Sequence, residues 1–287
     1  MSVVSKKHKH LSHDISSIIA NAIREDAPCG DITSVSTVPT KMEAEGFVIS
    51  RGSYIVSGID VVKMVYIHID NKIKFKSSFK NGQGLKKGQI LYSVKGNARS
   101  ILLAERTALN IVGHMMGIAT RTRKFVDLVK GTKVKILDTR KTTPGIRLLQ
   151  RRAVKDGGAS NHRFSLSDAV LVKENHVLMC GGIKKVLNNL SHLKKIKTEV
   201  EVRTLSELKE ILSSKFKPDI VMLDNMSLKM VKEAVKINKS TVKIEVSGGV
   251  NEKTIRDYAE TGIDYISLGT LTHTVQSADL SFLFKGI

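Results

Sequence analysis

The sequence is poor in the residues that mark several large functional classes. It has no tryptophan, aromatic residues make up 5% of its 287 positions, and cysteine occurs only twice. Cys29 and Cys180 are too few for a disulfide framework and are not spaced as a metal site, which suits a reducing compartment. No apolar run is long enough to cross a bilayer: the most apolar segment, 101–119, is interrupted by Glu105, Arg106, Asn110 and His114, and the opening MSVVSKKHKHLSHD has no apolar signal core. The expectation is a soluble, cytoplasmic protein with no membrane partner. Also missing are a GxxxxGK(S/T) loop, a metal-binding histidine spacing and a nucleophile set beside its base. Acidic residues are scarce as well, 27 against 47 basic, for a net charge of +20. Such an excess fits either a nucleic-acid partner or a strongly anionic small substrate. The shortage of aromatics weighs against the first, and much of the lysine lies on solvated helix faces such as 193-LKKIK-197 and 228-LKMVKEAVKINK-239, so charge alone does not choose.

What is present is a regular alternation. From about Lys133 onward six short β-like runs, 134–137, 169–172, 199–202, 220–223, 242–246 and 265–268, alternate with helical segments at 145–156, 182–194, 206–215, 227–237 and 251–260, several opened by a serine or asparagine cap. This pattern predicts an α/β fold with a parallel sheet buried on both faces. A barrel and an open doubly wound sheet both fit; six strands fall short of eight, so an open, incomplete β/α barrel is expected over 116–274. Residues 1–115 read differently, as an α+β domain with a helix over 11–25, a β-like stretch 43–58 and a glycine-punctuated hairpin 81–97, joined to the barrel by a long helix over 100–130. The tail 275–287 is expected to pack back on that first domain.

Ligands of parallel α/β folds bind beyond the carboxyl ends of the strands. Those ends carry Asp138, Arg140 and Lys141; Lys173, Glu174 and Asn175; Glu201 and Arg203; Asp224 and Asn225; Ser247, Gly248 and Gly249; and Gly269 and Thr270. The two late glycine loops offer bare N–H groups and close backbone approach to a phosphate. Arg140, Lys141, Lys173 and, from the loop 157-GGASNHRFSLSD-168, His162 and Arg163 suggest a cationic pocket whose guanidinium forks match carboxylates. Glu201 and Asp224 would serve ribose hydroxyls or a divalent metal. The polyanion implied has carboxylates at one end and phosphates at the other.

The motifs 25-EDAPCGDITS-34, 104-AERTALN-110, 117-GIAT-120, 138-DTRKTTPG-145, 157-GGASNHR-163, 172-VKENH-176, 223-LDN-225, 246-VSGGV-250 and 268-LGTLTH-273, in this order, resemble the decarboxylating quinolinate phosphoribosyltransferases. The resemblance implies an N-terminal α+β sandwich followed by an open barrel, and an enzyme of NAD biosynthesis that joins quinolinate to phosphoribosyl pyrophosphate with Mg²⁺ and loss of CO₂. It also implies a homodimer with shared active sites, with a hexamer built as a trimer of dimers left open. By the same resemblance Arg106, Thr139, Arg140, Lys141, His162, Arg163 and Lys173 would hold quinolinate, and Lys141 and Lys173 would also face pyrophosphate. Glu201 and Asp224 would hold the ribose and the Mg²⁺ surroundings, and Ser247, Gly248, Gly249, Leu268, Gly269, Thr270 and His273 would take the phosphate. Glu174 stands where the family pattern has aspartate, a change that keeps the charge. A molybdenum-transport-associated paralogue of the same fold, acting on another substrate, is the nearest alternative, and a basic nucleic-acid-binding protein the remote one.

Overall fold

A computed structural model describes residues 15–193 and 195–285. Its contacts divide the chain into two units, one drawn from 1–122, 142–158 and 272–287 and the other from 123–141 and 159–271. The first begins with α1 (Ile15–Asp26), and the part of its expected span before Ile15 lies outside the described residues. Next come α2 (Ile32–Thr37), β1 (Glu43–Ser50), β2 (Tyr54–Ile55), α3 (Ile59–Ile69), β3 (Lys74–Lys76), β4 (Gly84–Leu85), β5 (Ile90–Asn97) and the 31-residue α4 (Ala98–Leu128). The aspartate of the 25–34 motif is a helix cap: Asp31 accepts the Ser34 N–H at 3.0 Å, satisfying a donor that the first turn leaves orphaned.

After α4 the chain gives β6 (Lys135–Leu137), α5 (Arg147–Asp156), β7 (Val170–Val172), α6 (Glu174–Cys180), α7 (Ile183–Leu190), β8 (Thr198–Val202), α8 (Leu205–Ser213), β9 (Ile220–Asp224), α9 (Leu228–Asn238), β10 (Lys243–Ser247), α10 (Ile255–Ala259), β11 (Tyr265–Ser267), α11 (Thr270–His273) and β12 (Leu280–Phe284). The six strands β6 to β11 form one parallel sheet in the order β6-β11-β10-β9-β8-β7. The first strand thus pairs with the last, as in a barrel, and the sheet stays open between β6 and β7. The seam is crossed by a single bridge, Leu137 to Ser160. The expected open β/α barrel is the architecture found.

The strands are buried on both faces, but not by apolar side chains alone. The pairing places Glu199 and Glu201 of β8 beside Ile220 and Met222 of β9, and Glu245 and Ser247 of β10 beside Met222 and Asp224 of β9 and beside Tyr265 and Ser267 of β11. Side chains alternate along a strand, so these residues share one face. The opposite face is Val200, Val202, Val221, Leu223, Ile244, Val246 and Ile266, all buried. The apolar strands expected from the sequence are therefore apolar on one face and largely polar on the other.

In the first unit the sheet runs β12-β1-β5-β3, with β12 antiparallel to β1 from Gly46↔Phe284 to Ser50↔Leu280. The segment before β12 lies against two glycines one turn apart on α4. The Ala278 N–H donates to Gly113 O at 2.8 Å, and a Cβ on Gly117 would fall on the Gln276 carbonyl. Mid-helix glycine costs about 1 kcal/mol relative to alanine; here it gives the returning backbone its place. Gly117→Ala should therefore destabilise the protein by about 1 to 3 kcal/mol, the usual cost of overpacking, despite the better helix former. Urea unfolding measures this, and a more stable variant would show that 276–278 yields freely.

Candidate active site

The barrel's carboxyl ends carry an ordered set of charges. At the open seam Asp138, fully buried after β6, receives the Asn161 side-chain amide and the His162 backbone N–H, each at 2.7 Å. The 138–145 and 157–163 motifs are thus tied to each other through one carboxylate. Arg163 donates from Nη1 to Ala169 O at 2.8 Å, and burial together with the charge of Arg140 holds it below the ordinary arginine pKa. The two cations thus act on one another, and like charges held within reach favour a bound anion. Thr139 accepts the Lys141 N–H at 3.1 Å, so the loop after β6 is a tight polar turn that leaves Lys141 exposed.

Around the rim the cations pair with acids. Lys173, at the end of β7, bonds Glu201. Arg203 reaches Glu174 at 2.6 Å and Asp224 at 3.7 Å. Glu174 opens α6, an element the strand-helix reading did not include, and His176 caps it by accepting the Lys173 N–H at 2.9 Å. Asn225, in the left-handed region at φ 52°, donates its N–H to Ser247 O at 2.8 Å and its amide to Asp224 at 2.9 Å. Gly248 has φ +83°, and a Cβ there would land on the Asn225 side chain. The glycine is thus required twice, by conformation and by space, and it joins the 223–225 and 246–250 motifs. Leu268 donates its N–H to Leu137 O at 3.0 Å, setting Gly269 and Thr270 beside the end of β6.

The second unit therefore brings together Thr139, Arg140, Lys141, His162, Arg163, Lys173, Glu201, Asp224, Ser247, Gly248, Gly249, Leu268, Gly269 and Thr270 at one end of one sheet. Arg106 and His273 belong to the first unit. Arg106 is exposed on α4, 3.9 Å from Glu105, and lines a cleft of about 440 Å³ with Leu109, Asn110, His114 and Ile146. His273 ends α11 with its Nδ1 2.6 Å from Thr274 Oγ1.

Beneath the rim lies a group that the strand-end reading passed over. Glu199 Oε2 is 3.0 Å from His162 Nε2, with Glu245 Oε1 3.7 Å from the same nitrogen. Burial, then the charge of Glu199, pushes Glu245 up to about 7. Burial alone would lower the His162 pKa, but the hydrogen bond to Glu199 and the charges of Glu245, Glu199 and Asp138 outweigh it and leave it raised. The alternation in 198-TEVEV-202 was the available signal for Glu199; nothing local marks Glu245.

The family model described as quinolinate phosphoribosyl transferase, C-terminal domain, matches residues 118–283, and the N-terminal domain model matches 31–116. The chain belongs to the quinolinate phosphoribosyltransferase family. Among curated members of the family, it is 38% identical to quinolinate phosphoribosyltransferase (decarboxylating) 1 of Nicotiana glauca over 98% of this chain and 85% of the relative. It is 39% identical to nicotinate-nucleotide pyrophosphorylase (carboxylating) of Mycobacterium leprae over 91% and 94%. The solved nicotinate-nucleotide pyrophosphorylase of Francisella tularensis is similar with TM-score 0.89 and 38% identity, covering 96% of this chain and 98% of that one. Members of this family thus share both units of the chain.

The buried pair gives a pH signature. Below its ordinary value of 4.5 Glu245 is protonated whether folded or not; between 4.5 and about 7 only the unfolded chain gives up the proton, so stability is lost as pH rises and then levels off. Glu245→Gln removes this loss. The melting temperature of the variant relative to the parent should therefore be higher at pH 8 than at pH 5, and an equal difference at both would show that the carboxyl is not perturbed.

Proposed function

We propose that the protein transfers the phosphoribosyl group of phosphoribosyl pyrophosphate to quinolinate, with release of pyrophosphate and CO₂, giving nicotinate mononucleotide in the cytoplasm. The observation that carries this reading is that Arg140 and Arg163, close enough for the charge of one to act on the other, share one sheet end with the acids and glycines that follow β8 to β11. One substrate must present carboxylates to the first group and the other must present ribose and phosphate to the second. Arg140, Arg163 and Lys173, with Arg106 from a second copy of the chain, hold the dicarboxylate in the pocket that also contains Thr139 and His162. Glu201 and Asp224 take the ribose hydroxyls, and Ser247, Gly248, Gly249, Leu268, Gly269, Thr270 and His273 take the 5′-phosphate.

In this reading Lys173 exchanges its bond to Glu201 for the incoming anion, and Lys141 lies toward the pyrophosphate. The pyridine nitrogen then displaces pyrophosphate from the anomeric carbon through an oxocarbenium-like state, and the cations stabilise the departing negative charge. Glu201 and Asp224 offer the oxygen donors that Mg²⁺ prefers, so these two residues would face a magnesium ion carried by the pyrophosphate. That ion would supply further neutralisation of the leaving group when bound. Once ribosylated, the ring nitrogen is cationic, and its charge stabilises the electron pair left on the adjacent carbon when CO₂ departs, until that carbon takes up a proton to give the product. The protein's part in that second step is orientation and the exclusion of water.

Incubation with quinolinate, phosphoribosyl pyrophosphate and Mg²⁺ should yield nicotinate mononucleotide and CO₂ in equal amounts, with nicotinate a poor substrate because it lacks the second carboxylate. Equal use of nicotinate would overturn the substrate assignment. A site completed by a second copy makes a further prediction. Arg106→Ala and Lys141→Ala, each inactive alone, should regain activity when their subunits are exchanged, because one site of every mixed dimer then holds both native residues. Confirmed exchange without recovery would place both residues in the same chain's site.

A further inference from the structure

Two glutamates have no part in the reaction above, yet they are among the most deeply buried charges in the chain. Glu199 and Glu245 are 4% and 0% exposed. Oε1 of Glu199 lacks a hydrogen-bond partner among the described residues. Burying a carboxylate this way is costly unless something is gained by it. What Glu199 holds is the ring of His162, at 3.0 Å from Nε2.

The other side of the ring decides what that contact is. Nδ1 of His162 lies 2.8 Å from the backbone N–H of Arg163. An N–H can donate only to a nitrogen with a free lone pair, so Nδ1 carries no proton and the ring proton is on Nε2. The contact with Glu199 is therefore a hydrogen bond donated by Nε2–H to a carboxylate oxygen. The same reasoning excludes a metal at this cluster, although one ligand atom from each of His162, Glu199 and Glu245 lies within 4.8 Å of the others. A cation on Nε2 would send the proton to Nδ1, directly against the Arg163 N–H. Both ring nitrogens are thus engaged inside the protein, while Asp138 holds the His162 backbone N–H from below.

We propose that Glu199 is a positioning residue of the dicarboxylate pocket: it accepts the Nε2 proton of His162, locks the tautomer whose Nδ1 takes the Arg163 N–H, and so fixes the stretch of backbone that aims the Arg163 guanidinium. This deepens the reading of the site as a quinolinate pocket and rests on it. His162 then acts through the backbone of Arg163 and not as a hand on the substrate. Arg163 is tethered at both ends, by its N–H to the His162 ring and by Nη1 to Ala169 O.

Nitrogen NMR of the intact ¹⁵N-labelled protein, recorded on the alkaline side of the raised His162 titration so that the ring is neutral, reads the tautomer without reference to any activity. The His162 signals, identified by their loss in His162→Gln, should show a pyridine-like Nδ1 and a pyrrole-like Nε2. A protonated Nδ1, in the opposite tautomer or in the imidazolium, overturns the proposal. Kinetics then test the consequence. Glu199→Leu removes the acceptor and should raise the KM for quinolinate about tenfold, the lower end of the loss typical for a group supporting a ligand from behind, with the KM for phosphoribosyl pyrophosphate little changed. Glu199→Gln keeps an acceptor oxygen at the same reach and should restore the quinolinate KM to near the parent value. A quinolinate KM untouched in Glu199→Leu, or equal rises for both substrates, overturns the positioning role. Failure of the parent to make nicotinate mononucleotide would sink the reading of the site, but would leave the tautomer measurement to stand by itself.

Discussion

The barrel end is organised by the need to hold opposite charges in the same low-dielectric space. Arg140, Arg163 and Lys173 gather at one end of one sheet, and the lowering of the Arg163 pKa by burial and by the charge of Arg140 shows that cations there act on one another. The face beneath them answers with Asp138, Glu199, Glu201, Asp224 and Glu245. The two signs meet in the structure: Lys173 bonds Glu201, Arg203 reaches Asp224 as well as Glu174, and His162 lies against Glu199. These charges are thus held in place by partners that the fold itself supplies.

This constraint also explains why a parallel sheet carries so many acids on one face. Parallel strands buried on both sides usually read as unbroken apolar runs. In β8, β10 and β11 the outer positions keep that rule, with Val200, Val202, Ile244, Val246 and Ile266 buried. The inner positions depart from it because the barrel end is a charge reservoir as well as a core. Glu199 shows the cost, with its Oε1 buried and without a hydrogen-bond partner among the described residues.

The strand-helix alternation, the six-strand sheet and the polar strand ends were legible because each is a local pattern of period two or 3.6 set next to a glycine or a cap. Arg140, Lys173, Glu201 and Asp224 stood out for the same reason. Glu199 and Glu245 did not, since their meaning depends on a contact across the sheet between β8, β10 and the loop at 161–163, which no spacing along the chain encodes. Within 198-TEVEV-202 the alternation resembles a half-exposed strand, and only the contact of Glu199 with His162 tells otherwise. The short helix α6 was hidden by its motif, where Lys173 draws attention as a cation while His176 does the structural work of capping. Gly113 and Gly117 were likewise silent, because the backbone they accommodate arrives from 276–278, more than 150 residues later.

That late arrival bears on how the chain is made. The first unit completes its sheet with β12, and it also takes in 142–158 and the segment that packs against Gly113 and Gly117. During synthesis, an N-terminal domain built only from early residues could finish folding while the rest was still being translated. Here β12, more than 200 residues after β1, must emerge before β1 gains its outer partner. Until then β1 presents an unpaired edge, and nascent chains crowded on one message would meet through it.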